Sequence, residues 1–313
     1  MFTHRKKQFV RYGLVAPSVI VLILVTFFPF IYTLNISLHY VVGRNLRHEW
    51  LWTGLQNFGL VLKDEILWDA IIRTAEFILI GISVELILGL ALALLFSQNN
   101  RLNRTLRTLL LIPMVITPIV VGLMWKALYN FEGGMVNQVL ATLGLPSQPW
   151  LTSQPIPFFA NMPLIGPFLV EHLNAKYSFL SLIVIDIWQW TPFVMLVLIS
   201  GLLAIPNEIL ESAKVDGASK WQQLIHIILP MLAPTILVAI LLRTIDAMKV
   251  FDTVYALFGS AAEQRLMNVH IMNLALRIRN YGQGAAISIL VLVVVISLSQ
   301  LFAQSFYKRI GER

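Results

Sequence analysis

Long apolar runs separated by shorter polar stretches dominate this chain. The first, from Gly13 to about Leu34, contains no charged residue. Further runs cover roughly Ala75 to Phe96, Leu109 to Leu128, Phe179 to Ile205, Leu232 to Met248 and Gly284 to Phe306. Each is about 20 residues long, the length of helix that crosses a hydrocarbon core of about 30 Å. The pattern predicts an all-α membrane protein with six transmembrane helices, forming a single transmembrane domain over 1–313. The first run follows Arg5, Lys6, Lys7 and Arg11, as a signal peptide would. Its apolar core is longer than the roughly 7–15 residues of a signal, and no small-x-small site follows Tyr32, so a retained helix is expected.

Breaks in the pattern are informative too. Pro113 and Pro118 fall inside the third run, where neighbours must satisfy the carbonyls they free. The stretch 129–177 holds Gly133, Gly134, Pro146, Pro149, Pro155, Pro157, Pro163 and Pro167. It reads as an ordered external loop with short helical turns.

Composition changes the picture in one respect: it makes lipid the main solvent. Hydrophobic residues are 58% and charged residues 12% of the chain, against about a quarter charged in soluble domains. The net charge of +7 comes without a basic tract interleaved with aromatics, so nucleic acid is not an expected partner. Basic loops facing anionic lipid explain it. With the N-terminus inside, twelve basic residues lie in inner segments and eight in outer ones. The inner connection 97–107 carries Arg101, Arg104 and Arg107. Both termini are therefore expected in the cytoplasm. There is no cysteine, which removes disulfide and thiolate–metal chemistry. The halves show no repeat, so an inverted-repeat transporter has no support.

Ionisable groups inside spans are costly and mark function or pairing. They nominate Glu85, Asp186, Arg243 and Asp246, each open to a structural or a substrate role; Glu85 has Arg73 or another chain as candidate partner. Trp188, Gln189 and Trp190 together offer an aromatic face and an acceptor, as a sugar requires. His226 reads as a loop contact and His270 as an external surface residue, neither at metal-ligand spacing. No HExxH or Ser/His/Asp constellation occurs, so no catalytic residue and no metal site are assigned.

The segment between the fourth and fifth runs, residues 206–230, reads PNEILESAKVDGASKWQQLIHIILP. Glu208 and Glu211 suit the positive end of a first short helix. Gly217 can take positive φ and end it. Ser219 with Gln222 is a capping-box start for a second helix. Trp221, Leu224, Ile225 and Ile228 fall on one apolar stripe, and Pro230 is expected to close the unit. On these signals alone, an ordinary amphipathic inner loop remains open.

The spacing of Glu211, Ala213, Gly217, Ile227, Leu229 and Pro230 resembles the EAA loop of ABC importer permeases, with Ser212 in place of the first alanine. Six fixed positions at about 5–10% each make a chance match well below one in a thousand. Nearly the whole chain is similar to the carbohydrate-uptake group of that family. The likeness rests on Leu14–Ser37 with its Ala16-Pro17 and Phe28-Pro29, GLQNF at 54–58, LGLALALL at 88–95 and RTLLLIP at 107–113. It extends to WKALY at 125–129, WTPF at 190–193 and RTIDAMKVFD at 243–252. Where the family has Gly-Gly-Pro after the fifth helix, this sequence has FGSAA at 258–262.

The resemblance implies a type I ABC importer permease, binding-protein-dependent, in the cytoplasmic (inner) membrane. It is a transport subunit and not an enzyme. Residues 206–230 would be the coupling segment, carrying Glu211, Ala213, Asp216, Gly217, Trp221 and Leu224. Glu211 would bond to the ATPase, and Trp221 with Leu224 would pack the second helix. No GxxxxGK[ST] loop occurs, so ATP and Mg would bind two copies of a separate ATPase and no cofactor would bind this chain. A second homologous six-helix permease and an extracytoplasmic binding protein complete the implied assembly. The cargo would be a sugar, with Asp186, Trp188, Gln189, Trp190, Arg243 and Asp246 along its pathway. A polyol or a glycerol-phosphate-type solute is the alternative, but a phosphorylated cargo wants two or more cations on the pathway, and only Arg243 and Arg73 are available.

Overall fold

A computed structural model describes residues 2–43, 50–97, 100–163, 165–171, 173–259 and 266–311. Arg44, Arg47, Arg265 and Arg313 of the charge count lie outside the described residues, as does FGSAA from Ser260 onward. The helices in order are α1 (Phe2–Ser37), α2 (Gln56–Leu62), α3 (Glu65–Phe96), α4 (Arg101–Leu110), α5 (Ile112–Val115), α6 (Pro118–Leu128), α7 (Met135–Thr142), α8 (Pro157–Ala160) and α9 (Gly166–Glu171). They continue as α10 (Tyr177–Leu203), α11 (Asn207–Val215), α12 (Lys220–Gln223), α13 (Leu229–Ala247), α14 (Asp252–Phe258), α15 (Met267–Met272) and α16 (Tyr281–Gly311). Strands β1 (His39–Tyr40) and β2 (Leu51–Trp52) pair antiparallel between α1 and α2. The packing divides into two compact units, Met1–Glu65 with Ile271–Val294 and Ile66–His270 with Val295–Arg313.

Among the described residues, five helices are long and apolar enough to cross a bilayer: Leu14–Ser37, Glu65–Phe96, Tyr177–Leu203, Lys220–Ala247 and Tyr281–Phe302. None of the apolar window in Leu14–Ser37 is buried within the chain. Water would not tolerate so much contiguous apolar surface, so lipid or another subunit covers it.

A sixth candidate, expected as one run over 109–128, is broken. Arg101–Val115 and Pro118–Leu128 meet at 94°. Ile116 and Thr117 are both extended, with ψ of 133° and 141°. Proline at 118 disfavours the helical region for the residue before it. Side chains of other helices then satisfy carbonyls at the break: Gln189 Nε2 donates to Ile116 O (3.1 Å) and Thr253 Oγ1 to Pro118 O (3.3 Å).

Two other boundaries differ from the sequence reading. The helix of the second span starts at Glu65, ten residues before Ala75, and its charged first turns are tied together by Arg73. Arg73 pairs with Asp69 (3.3 Å) and Glu76 (3.1 Å), and its Nη2 donates to Glu171 O (2.9 Å). Pro230 does not close the coupling unit; the helix runs from Lys220 to Ala247 without interruption. A proline in an α-helix crowds the carbonyl four residues back. Here the preceding turn, Leu224–Ile228, is π-helical, and Leu229 N–H closes onto Leu224 O. The wider turn lets the chain pass the proline.

In the smaller unit, Asn57 Nδ2 donates to Ser37 O and His39 O, both at 2.9 Å, fixing the β1–β2 hairpin to α2. The larger unit packs α3, α6, α10 and α14 around Phe77, Val121, Phe179, Leu182 and Leu257. A second cluster joins Ala93 of α3 to Val194, Met195 and Leu198 of α10. The 129–177 stretch is pinned to the start of α10. Asn137 bridges Phe131 O, Gln148 O, Gln148 N and Trp150 Nε1, and Ser181 Oγ donates to Trp150 O.

Gly122 of α6 marks a close helix approach. A Cβ there would lie 2.6 Å from Ala256 Cβ and 2.9 Å from Thr253 O on α14. Gly122→Ala is expected to cost about 1–3 kcal/mol, the usual penalty of overpacking. A lower thermal midpoint of the detergent-solubilised protein would register it, and an unchanged midpoint would mean that α14 can yield.

Candidate functional site

Two places bring the nominated residues together. The first lies within the spans. Arg243 of α13 is 1% exposed and Glu85 of α3 fully buried. Burying one charge alone is prohibitive, and the guanidinium fork resolves it. Arg243 Nε donates to Glu85 Oε2 (2.7 Å) and Nη2 to Glu85 Oε1 (2.9 Å), a bidentate pair. Nη2 also reaches Asp186 Oδ2 of α10 (2.7 Å), and Nη1 reaches Asp246 Oδ2 one turn along α13 (3.0 Å). The guanidinium carbon sits 5.0 Å from the ring centre of Trp190, within cation–π range. One cation thus ties three helices together.

A cleft of about 210 Å³ opens beside this cluster. Its walls include Pro118 from the broken span, Asp186, Gln189 and Trp190 from α10, Asp246 at the end of α13, Lys249 and Phe251 from the turn beyond, and Asp252 at the start of α14. Asp246 is the half-exposed member of the ion cluster, at 44%.

Of the six residues nominated for a pathway, Asp186, Gln189, Trp190 and Asp246 line the cleft, and Arg243 stands behind them. Trp188 turns away and packs edge-on against Trp125, 5.6 Å between ring centres. Glu85 does not pair with Arg73; its partner is Arg243, 158 residues along the chain. His270 is buried rather than on the surface, since α15 also turns Met267 and Val269 inward. Lys249, Phe251 and Asp252 were missed as wall residues, although the sequence string 243–252 contains them. Among the described residues, no group of His, Cys, Asp or Glu is arranged to hold a metal ion.

The second place is 206–230. Helix α11 ends on Gly217, whose φ is +82°. Gly217 N–H bonds to Lys214 O (3.1 Å) and Ala218 N–H to Ala213 O (2.9 Å), the two bonds of a Schellman cap. Ser219 Oγ then accepts from Gln222 N–H while Gln222 Oε1 accepts from Ser219 N–H, a complete capping box. Helix, turn and helix are each locally specified. Glu211, Asp216 and Gly217 are exposed, while Ala213 and Leu224 are half-buried. Trp221 does not pack the second helix within this chain: it is 68% exposed. An exposed tryptophan on a doubly capped helix–turn–helix is suited to a protein partner.

Several apolar spans, a buried ion cluster beside a cleft and a rigid exposed turn leading straight into a span describe a membrane-embedded transport component. The chain belongs to the family of binding-protein-dependent transport system inner membrane components, whose pattern it matches over residues 85–312. It is 32% identical over 292 residues to the trehalose/maltose transport system permease protein MalF of Thermococcus litoralis, covering 93% of this chain and 91% of that protein. It is 31% identical over 295 residues to the trehalose transport system permease protein SugA of Mycobacterium tuberculosis, covering 94% and 87% respectively. Its fold is similar to that of a chain in the crystal structure of a bacterial ABC transporter involved in import of the acidic polysaccharide alginate. The TM-score is 0.77 at 20% identity, with 98% of each chain covered. The protein is a multi-pass inner-membrane permease subunit of an ABC importer, and not an enzyme.

Proposed function

We propose that this permease carries a sugar, handed over by an external binding protein, and that residues 206–230 receive the drive from a separate ATPase. The observation that carries the coupling assignment is the doubly capped turn at Gly217, rigid and exposed. Glu211 and Trp221 stand on either side of that turn as contacts for a groove on the ATPase. Because α12 continues through the π turn into α13, a push on the coupling helix is transmitted along a span.

The sugar assignment is supported by the relatives' names and by a cleft lined by Trp190 together with the carboxylates of Asp186, Asp246 and Asp252. In this reading both termini are cytoplasmic, the 129–177 loop faces outward, and a second homologous permease covers apolar surface such as that of α1. Two ATPase copies close on ATP and Mg, draw the coupling segments together, and rock the spans between inward- and outward-facing states.

The test is a pull-down of the tagged chain from its own membranes in mild detergent, followed by mass spectrometry. A second six-span protein and a phosphate-loop ATPase in near-stoichiometric amounts are expected. Recovery of the chain alone would defeat the assembly.

A further inference from the structure

We infer that the cleft beside Arg243 discriminates cargo by charge, admitting neutral saccharides and rejecting anionic ones, and that Asp246 is the specificity-determining residue. The inference rests on the sugar-importer reading and adds to it the charge class of the cargo.

Arg243 looks like the natural anchor for a carboxylate, sulfonate or phosphate, because its planar fork matches those groups. Here the fork is spent. Nε, Nη1 and Nη2 all donate to carboxylates of Glu85, Asp186 and Asp246 at 2.7–3.0 Å. With the side chain 1% exposed, an incoming anion reaches it only by displacing one of these carboxylates, and Glu85 or Asp186 would then be left buried and unpaired. Such a displacement is heavily disfavoured.

The remaining charges reinforce this. Asp186, Asp246 and Asp252 line the cleft, and Lys249 is the one cation among its walls. An anionic cargo therefore meets more carboxylate than cation, and a unit charge a few ångströms away shifts binding by about tenfold.

Asp246 differs from the two buried carboxylates. It is 44% exposed, lines the cleft, and keeps only one oxygen, Oδ2, on Arg243. As a half-exposed wall residue it brings its charge to whatever enters. Arg243 thus acts as a positioning residue, holding both Asp246 and the ring of Trp190 at the cleft.

The experiment uses the complete importer, with partner permease and ATPases, in lipid nanodiscs without binding protein. Equilibrium binding is measured for neutral di- and trisaccharides, each paired with the analogue carrying a carboxylate in place of a terminal carbinol or aldehyde (maltose with maltobionate, for example). The wild-type complex is expected to prefer the neutral sugar by about tenfold or more. Asp246→Asn should shrink that preference to within about threefold, and Asp246→Lys should invert it. Lys249→Gln should widen it. A preference indifferent to both positions, or absent in the wild type, overturns the assignment of charge selection to this cleft.

Uptake of the same neutral sugars by proteoliposomes holding importer and binding protein is measured in parallel. Uptake with an unaltered charge preference would sink only the present inference. No uptake of any neutral or anionic member would sink the sugar-importer reading beneath it. Size-exclusion profiles of the variants separate lost binding from lost assembly.

Discussion

Gly217→Pro is expected to abolish transport while the protein remains in the membrane. Two independent features make the effect large. Gly217 holds φ at +82°, and proline is confined near −65°, so the left-handed turn cannot form. Proline also lacks the N–H that Gly217 donates to Lys214 O at 3.1 Å, removing half of the Schellman cap. The direction in which the chain leaves α11 changes, and α12 with Trp221 is displaced from its place after the turn. None of the apolar spans is touched, so insertion is unaffected. Gly217→Ala provides the graded control. It keeps the N–H and adds only the strain of a Cβ in the left-handed region, about 1–2 kcal/mol, so partial uptake is expected. Binding-protein-stimulated ATP hydrolysis and sugar uptake should fall together in the proline variant, to a few per cent of wild type or less. Normal uptake by Gly217→Pro would remove residues 206–230 from the coupling role.

The turn at Gly217 was legible in the sequence because its determinants are local. A glycine followed two residues later by a Ser-x-x-Gln box fixes backbone geometry without reference to the rest of the fold. The apolar runs were legible for the same reason, since a bilayer imposes length on each span separately.

What escaped depends on partners far along the chain. Pro113 and Pro118 announced a possible break, but its 94° angle needs Gln189 and Thr253 to take up carbonyls of the broken segment. The charged first turns of α3 are tied together by Arg73, which finds both Asp69 and Glu76 on its own helix and Glu171 O beyond it. Pro230 was read as a stop because proline ends α-helices; the π turn that carries the chain past it has no simple sequence pattern. Glu85, Asp186 and Arg243 were each conspicuous as charges in apolar runs. Their pairing was not, because Arg73 offered Glu85 a nearer cation in sequence. Burial decides between the two: a fully buried carboxylate requires a fully buried donor, and Arg243 is one whereas Arg73 is part-exposed.

That pairing leads to the second large effect. Arg243→Met is expected to destabilise the fold severely, because it leaves Glu85 and Asp186 in the interior without a cation. Removing one partner of a buried ion pair costs about 3–5 kcal/mol, and here a single arginine serves both buried carboxylates. Arg243→Lys should recover only part of the loss. A lysine ammonium is a point donor and cannot hold Glu85 bidentate while reaching Asp186 and Asp246. The decisive comparison is Arg243→Met combined with Glu85→Gln. If the penalty comes from uncompensated charge, neutralising Glu85 should return much of the lost stability, and the double variant should melt above the single one. If Arg243 matters only as volume between α3, α10 and α13, the second substitution should bring no recovery. Thermal melting in detergent distinguishes the two outcomes. Neutral-sugar binding then reports on the site itself. A double variant that regains stability yet binds sugar poorly would mark Arg243 as the residue holding Trp190 and Asp246 in place. One that regains both would reduce Arg243 to a counter-ion for carboxylates buried in the span.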